Sequence, residues 1–256
     1  MAVTPTTNSP SPARKAWRDF LIENGKKLRN GVNGIVFRFS KVGNPPVFDT
    51  RVFPWTKMLE EHWEEIRDEA LAVLEQRDAV PPLKDISPDH ARLAENNDKW
   101  QSFFIWGYGY KMPSNAARCP RTTALVEQIP GLKSAFYSIF APGAHIPSHR
   151  GVTAAMITCH LALIVPKERD KCRMQVDDQM LHWEPGKTLV FDDTFRHEVW
   201  NDTAEDRVIL LVQFARPLRF PGNLFANFFL WLIRMSPFVQ DAKRAIVEWD
   251  KKLQTK

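Results

Sequence analysis

Met156-Ile157-Thr158-Cys159-His160-Leu161-Ala162-Leu163-Ile164-Val165-Pro166 has the composition and rhythm of a buried strand. Successive side chains of a strand point to opposite faces, so Thr158, His160 and Ala162 share one face while Ile157, Cys159, Leu161, Leu163 and Val165 share the other. One face is wholly apolar, and the other carries a polar thread through an apolar run. Working outward, strand-like runs recur across residues 134–216, separated by Pro, Gly, Asp and Asn turns. A doubly wound parallel sheet needs helices between its strands, and no segment here has room for them. The pattern predicts a mainly β fold with flanking helices, a double-stranded β-helix or jelly roll.

On either side of the quoted run lie Pro147-Ser148-His149-Arg150-Gly151 and Phe191-Asp192-Asp193-Thr194-Phe195-Arg196-His197-Glu198-Val199-Trp200. Each holds one histidine among turn-forming residues beside a strand. A lone histidine is usually a surface or satisfied core residue. Two at strand ends that a sheet can bring together form a candidate metal site, because imidazole is the ligand that iron, zinc, copper and nickel share. Downstream, Asp206-Arg207-Val208-Ile209-Leu210-Leu211-Val212-Gln213-Phe214 is a strand with a cation at its head. An arginine buried there needs an anion, and a carboxylate fits its planar fork best. Two histidines for a metal and an arginine for a carboxylate are the set that a ferrous enzyme using a 2-oxo acid needs.

From Ser138 to Arg207 the ordered blocks are Ser138 followed by Pro142-Gly143, His149-Arg150-Gly151, His160-Leu161, Trp183-Glu184-Pro185-Gly186-Lys187, Phe191-Asp192-Asp193, His197-Glu198-Val199-Trp200-Asn201 and Arg207. In these the chain resembles the aspartyl/asparaginyl β-hydroxylase family of Fe(II)- and 2-oxoglutarate-dependent dioxygenases, which includes bacterial hydroxylases of lipid A and ornithine lipid acyl chains. The resemblance implies a cupin-like jelly roll with its site in the mouth between two sheets. It implies His149 and His197 as iron ligands, Arg207 as the partner of the distal 2-oxoglutarate carboxylate, Ser138 and His160 as its helpers, and O2 as oxidant. Most non-haem iron oxygenases place a carboxylate ligand two residues after the first histidine. Gly151 stands there, as in this family. Thr158 departs from the arginine that protein hydroxylases carry two residues before His160; Arg150 and Arg173 are the candidates to compensate.

Composition bounds the rest. The 256 residues, 44% hydrophobic and 25% charged, suit one soluble globular unit. The +5 charge suits an anionic partner, while the absence of zinc-finger spacing or a basic helix argues against nucleic acid. Cys119, Cys159 and Cys172 are odd in number and form no CxxC pair, which favours reduced thiols in a cytosol. Cys159 lies opposite His160 on its strand and is no nucleophile candidate.

Residues 1–13 read as a disordered tail ahead of a single domain over 14–256, and Ala16 to Arg29 as a short helix. A helix capped by Thr56 buries Leu59, Trp63, Ile66, Ala70, Val73 and Leu74 and turns Glu60, Glu61, Glu64, Glu65 and Asp68 to solvent. Residues 81–100 read as a loop, Gln101 to Tyr110 as an aromatic strand, and Pro113 to Ile129 as one helix. The jelly-roll core is expected over about 134–216 and a helical segment over about 222–253. Within that segment, Leu224 to Ile233 is apolar, bracketed by Arg219 and Arg234, and too short for a bilayer, which needs about 20 residues. It packs on the sheet, in a dimer interface, or on a membrane surface through residues 219–234. The last would bring the site to the inner face of a membrane and favours a lipid acyl chain as substrate. Asp or Asn in a peptide is the alternative. A non-catalytic cupin-like binding protein and a zinc hydrolase are the rival classes; the second is disfavoured because a catalytic zinc usually has three protein ligands.

Overall fold

The computed structural model describes residues 30–86 and 99–254. Its centre is a pair of antiparallel sheets. Strands β1 (Val47–Phe48), β2 (Trp100–Gly107), β3 (Tyr110–Lys111), β4 (Leu132–Phe140), β6 (Met156–Ile164), β9 (Thr188–Phe191) and β11 (Arg207–Ala215) form the larger sheet, in the order β1-β9-β6-β11-β4-β2-β3. Strands β5 (Ala144–His149), β7 (Cys172–Val176), β8 (Gln179–His182) and β10 (His197–Asn201) form the smaller, in the order β5-β10-β7-β8. From β4 to β11 the chain passes back and forth between the two, which is the winding of a jelly roll.

The period-2 pattern decides what each face meets. Tyr137, Ile139, Ile157, Cys159, Leu161, Leu210 and Val212 line the outer face of the larger sheet. They are covered by helices α2 (Trp55–Glu61), α3 (Trp63–Leu74), α5 (Pro113–Arg118) and α6 (Pro120–Val126), through Leu59, Ile66, Ala116 and Leu125 among others. Each fully buried Leu, Ile or Phe contributes roughly 1.5–3 kcal/mol, so this layer holds the outer face in place. On the inner face, Phe140, Ala162, Phe191 and Ile209 meet Ile146, Met174 and Val199 of the smaller sheet. Beyond the reach of that sheet, Phe104 and Phe136 are covered by Leu83 and Ile86 of α4 (Leu83–Ile86) and by Ala242 and Ile246 of α8 (Pro237–Gln254). Helix α1 (residues 30–39) packs on α7 (Gly222–Met235) through Val32, Val36, Ala226 and Phe229.

Several local expectations need correction. The alternation in β6 holds to Leu163 and then slips, so that Ile164 packs with the outer cluster and Val165 with the inner one; pairing with β11 shifts register there, between Val208 and Ile209. The helix after Trp55 is two helices, because His62 leaves helical geometry at φ −113, ψ 17. Thr56 does not cap it: Pro54 precedes the first turn, and Thr56 Oγ1 donates to the Phe53 carbonyl at 2.8 Å. Glu60 is not on a solvated face but accepts hydrogen bonds from Thr188 N and Oγ1 at the start of β9. The Pro113 to Ile129 segment splits at Cys119 (φ −130), since Pro120 disfavours a helical residue before it. The aromatic strand begins at Trp100 and turns at Tyr108 and Gly109, which have φ of 52 and 81, into the short β3. A turn of helix, α4, lies in the expected 81–100 loop. The expected tail and the Ala16 to Arg29 helix fall outside the described residues.

Candidate active site

His149 ends β5 and His197 begins β10, and the two are cross-strand partners in the smaller sheet. Their rings lie with centroids 4.0 Å apart. Each Nδ1 sits against the carbonyl two residues earlier, Pro147 O at 2.9 Å and Phe195 O at 3.0 Å. A carbonyl only accepts, so each Nδ1 carries the proton and each Nε2 keeps its lone pair, the tautomer a metal takes. Burial, then the neighbouring His197, push the His149 pKa down to about 4. Burial also lowers that of His197. Both rings are therefore neutral near pH 7. Among the described residues no third His, Cys, Asp or Glu joins them in a cluster able to hold a metal.

Arg207, at the start of β11, is 2% exposed. Its guanidinium carbon lies 4.8 Å from the Phe140 ring centroid and 4.6 Å from that of Trp183, between two aromatic faces. Nη2 donates a long 3.4 Å hydrogen bond to Ser138 Oγ, and Nε has no partner among the described residues. Burial lowers its pKa to about 10, and among the described residues no carboxylate offsets that. An unpaired buried charge costs several kcal/mol, which an anion beside the guanidinium would offset. Ser138 Oγ also accepts from Trp100 Nε1 at 3.0 Å, which fixes it in place. His160, across the sheet on β6, accepts from Trp183 Nε1 at 3.4 Å through Nδ1, so its own proton sits on Nε2. Burial, then Arg207, hold His160 neutral. His149, His197, His160, Ser138 and Arg207 all line one cavity of about 490 Å³ between the sheets.

The loop from β9 to β10 locks the histidine pair. Asp192 Oδ1 accepts from Thr194 N and Oγ1, closing a turn, and its other oxygen pairs with Arg216 Nη2. Both side chains are fully buried. Arg216 also donates to Ala154 O at 2.7 Å and Gly43 O at 3.0 Å, tying three segments together. Gly151 is required where it stands: a Cβ there would overlap the Asp193 carboxylate. Asp193 is itself pushed up to about 7 by burial and then by Asp192.

A sequence profile described as Aspartyl/Asparaginyl beta-hydroxylase matches residues 60–217, more than half of the chain. The chain belongs to this family. An ornithine lipid ester-linked acyl 2-hydroxylase of Rhizobium tropici is 42% identical over 216 residues, spanning 84% of this chain and 76% of that protein. The human aspartyl/asparaginyl beta-hydroxylase is 35% identical over 166 residues, which are 63% of this chain but 21% of the human protein. A solved prolyl-4-hydroxylase of Pseudomonas putida is similar over 60% of this chain and 88% of that one, with 21% identity and a TM-score of 0.38.

Against the family pattern, Thr158 is the departure. Its hydroxyl donates to Asp193 Oδ2 at 3.3 Å, which puts a short neutral group on the cavity wall. Arg173 does not compensate: it pairs with Asp202 at 2.8 Å and lies over the Trp200 ring, on the outside of the smaller sheet. Arg150 does line the cavity, from an exposed position at its edge. Away from the histidines the cavity wall turns apolar, with Leu83, Phe104, Phe136, Leu211 and Ile233. Sequence reasoning missed Arg216, the aromatic pair around Arg207 and the seating of Asp193 against Gly151. A second arginine at the far end of β11 was the available signal for the first. The others depend on which strands become neighbours.

Proposed function

We propose that this protein is an Fe(II)- and 2-oxoglutarate-dependent dioxygenase that hydroxylates an unactivated carbon, in the acyl chain of a membrane lipid. The observation that carries the reading is Arg207: a fully buried guanidinium without an anionic partner among the described residues, in the same cavity as two neutral histidines. The residues fit the groups they would hold. His149 and His197 each offer an Nε2 lone pair to a divalent metal. Arg207 offers a desolvated cation to the distal carboxylate of 2-oxoglutarate, with Ser138 Oγ and the Nε2 proton of His160 as further donors. Ferrous iron with 2-oxoglutarate and O2 supplies the oxidising chemistry, one oxygen atom going to the substrate carbon and the other to the succinate formed with CO2.

The chain's own work is positioning. Phe140 and Trp183 hold the planar guanidinium in place and dry, which strengthens its pull on a carboxylate. The carbonyls of Pro147 and Phe195 fix the ring orientation of both histidines before any metal arrives. The apolar wall from Phe104 to Ile233 excludes water and suits a hydrocarbon chain. A peptide aspartate would call for a second buried cation, and among the described residues lining the cavity Arg207 is the one buried cation. The activity named for the Rhizobium tropici relative supports the same substrate class.

Anaerobically purified protein loaded with Fe(II) and 2-oxoglutarate, given O2 and extracted bacterial lipids, is expected to form succinate and add one oxygen to an acyl chain by mass spectrometry. His149→Ala and His197→Ala are expected to abolish both. Succinate formation that ignores O2, or lipid extracts of unchanged mass beside a hydroxylated acidic peptide, sinks the reading.

A further inference from the structure

The cavity does not end inside the jelly roll. Its lining includes Val152, Ile233 and Ser236, and Ile233 belongs to α7. That helix is apolar on two faces. Gly222, Ala226 and Phe229 turn inward, with Ala226 and Phe229 packing among α1 and the Ala154-Ala155 loop. Leu224, Phe225, Phe228, Trp231, Leu232 and Met235 are exposed, Phe228 to 59% and Trp231 to 53%. Their spacing of three and four residues makes one continuous outward stripe, with Phe228 and Trp231 stacked at 5.9 Å. Phe220, two residues before the helix, and Val152 are exposed as well. A contiguous apolar face of this kind marks an interaction surface.

Charge narrows the partner. No acidic residue occurs between Asp206 and Asp241 or between Glu23 and Asp49, so neither α7 nor the α1 helix beside it carries one. Arg38 and Arg234 on these two helices, and Lys41 and Arg219 just beyond their ends, are exposed. Arg219 is held by the Arg38 carbonyl at 3.2 Å, and Arg234 sits over the Tyr110 ring at 4.1 Å, which fixes the cations at the borders of the stripe. Aromatic and aliphatic side chains flanked by cations suit the boundary of an anionic bilayer, with Trp at headgroup depth. Among the described residues no helix is long and apolar enough to cross a membrane, so the contact would be with its surface.

We infer that the outward stripe of α7 docks on an anionic lipid surface and that an acyl chain enters the cavity there, past Val152 and Ile233. The inference rests on the acyl-chain reading of the cavity, but docking itself needs neither metal nor co-substrate. The test is cosedimentation of the full-length, metal-free chain with vesicles of phosphatidylglycerol and phosphatidylethanolamine, against phosphatidylcholine alone. Preferential binding to the anionic vesicles, weakened by salt, is expected. Phe228→Ser with Trp231→Ser should lower the partition coefficient by about tenfold or more, while Met180→Ser, exposed on β8, leaves it unchanged. Unchanged thermal unfolding of the double variant separates lost docking from lost fold. No vesicle binding by the full chain, or binding that the double variant keeps, overturns the inference. So does a dimer that the double variant turns into a monomer without any effect of vesicles, which would give the face to a second copy. Because the assay holds no iron or 2-oxoglutarate, failed hydroxylation chemistry leaves it standing. Failed docking likewise leaves turnover of detergent-dispersed lipid standing.

Discussion

Two arginines frame β11 and have opposite fates. Arg207 opens the strand and Arg216 follows its last residue; they are 2% and 3% exposed, and burial lowers the pKa of both. Arg216 meets Asp192 and two backbone carbonyls, so its charge is answered inside the fold. Arg207 meets two aromatic faces and one long hydrogen bond. Equal burial with unequal satisfaction separates a residue that holds the structure from one held ready by it. Stability and ligand binding should divide between them accordingly.

The largest effect on stability is expected at the satisfied end. Arg216→Met leaves Asp192 charged and buried without its cation, which costs about 3–5 kcal/mol, read as a lower urea midpoint. Adding Asp192→Asn should recover part of that loss by removing the stranded charge. Arg207→Met should do the reverse. The metal-free variant should unfold within about 1 kcal/mol of the parent, because lost cation–π contacts and a relieved unpaired charge oppose each other. Its affinity for 2-oxoglutarate should fall by about 2–5 kcal/mol, which calorimetry on the metal-loaded protein would read as about thirtyfold or more. Equal destabilisation by the two variants would erase the distinction.

The sequence reveals these two arginines unequally, and the reason is physical. Arg207 reads as an anion site because it heads an apolar strand in a family pattern with two histidines. Arg216 has the same strand-end position and was overlooked, since its partner comes from the β9 to β10 loop and no local pattern announces that pairing. The same limit explains β6, whose alternation is legible through Leu163 and lost where its register with β11 shifts. It also explains the helix read as continuous from Trp55 to Leu74. The apolar spacing survives the break at His62, so burial of Leu59, Ile66, Ala70 and Val73 was foreseen while the break was not. The jelly roll was legible because alternation is a property of the chain itself, whereas the grouping of His149, His197, His160, Ser138 and Arg207, which line one cavity, was implied by the family resemblance. Whether Leu224 to Ile233 faced a partner could not be read, because the helix is apolar on both sides.

Between the two ends of β11, Gly151 tests how tightly the Arg216 network presses on the histidines. A methyl group there would meet the Asp193 carboxylate, so Gly151→Ala must displace the Asp193 side chain or the loop that Arg216 and Asp192 hold. Overpacking of this kind costs about 1–3 kcal/mol. Thermal unfolding should show that loss in the parent background and a smaller one in Arg216→Met, where the loop is already released.

The smallest difference between the variants is expected in the pH dependence of the metal-free protein, and it should belong to the Arg207 end. The folded pKa of His149 is near 4, below its unfolded value of 6.5. Between those values the unfolded chain binds a proton that the folded chain refuses. The contribution to stability is therefore complete above pH 6.5 and is lost as pH falls towards 4, with a slope no steeper than about 1.4 kcal/mol per pH unit for each histidine. His160 acts in the same direction, held neutral by burial and then by Arg207. Arg207→Met removes that second cause and should make the slope shallower in urea titrations across this window. Arg216→Met leaves Arg207 beside His160 and should keep the parent's imidazole slope more nearly than Arg207→Met does, which would divide the strand into its two roles.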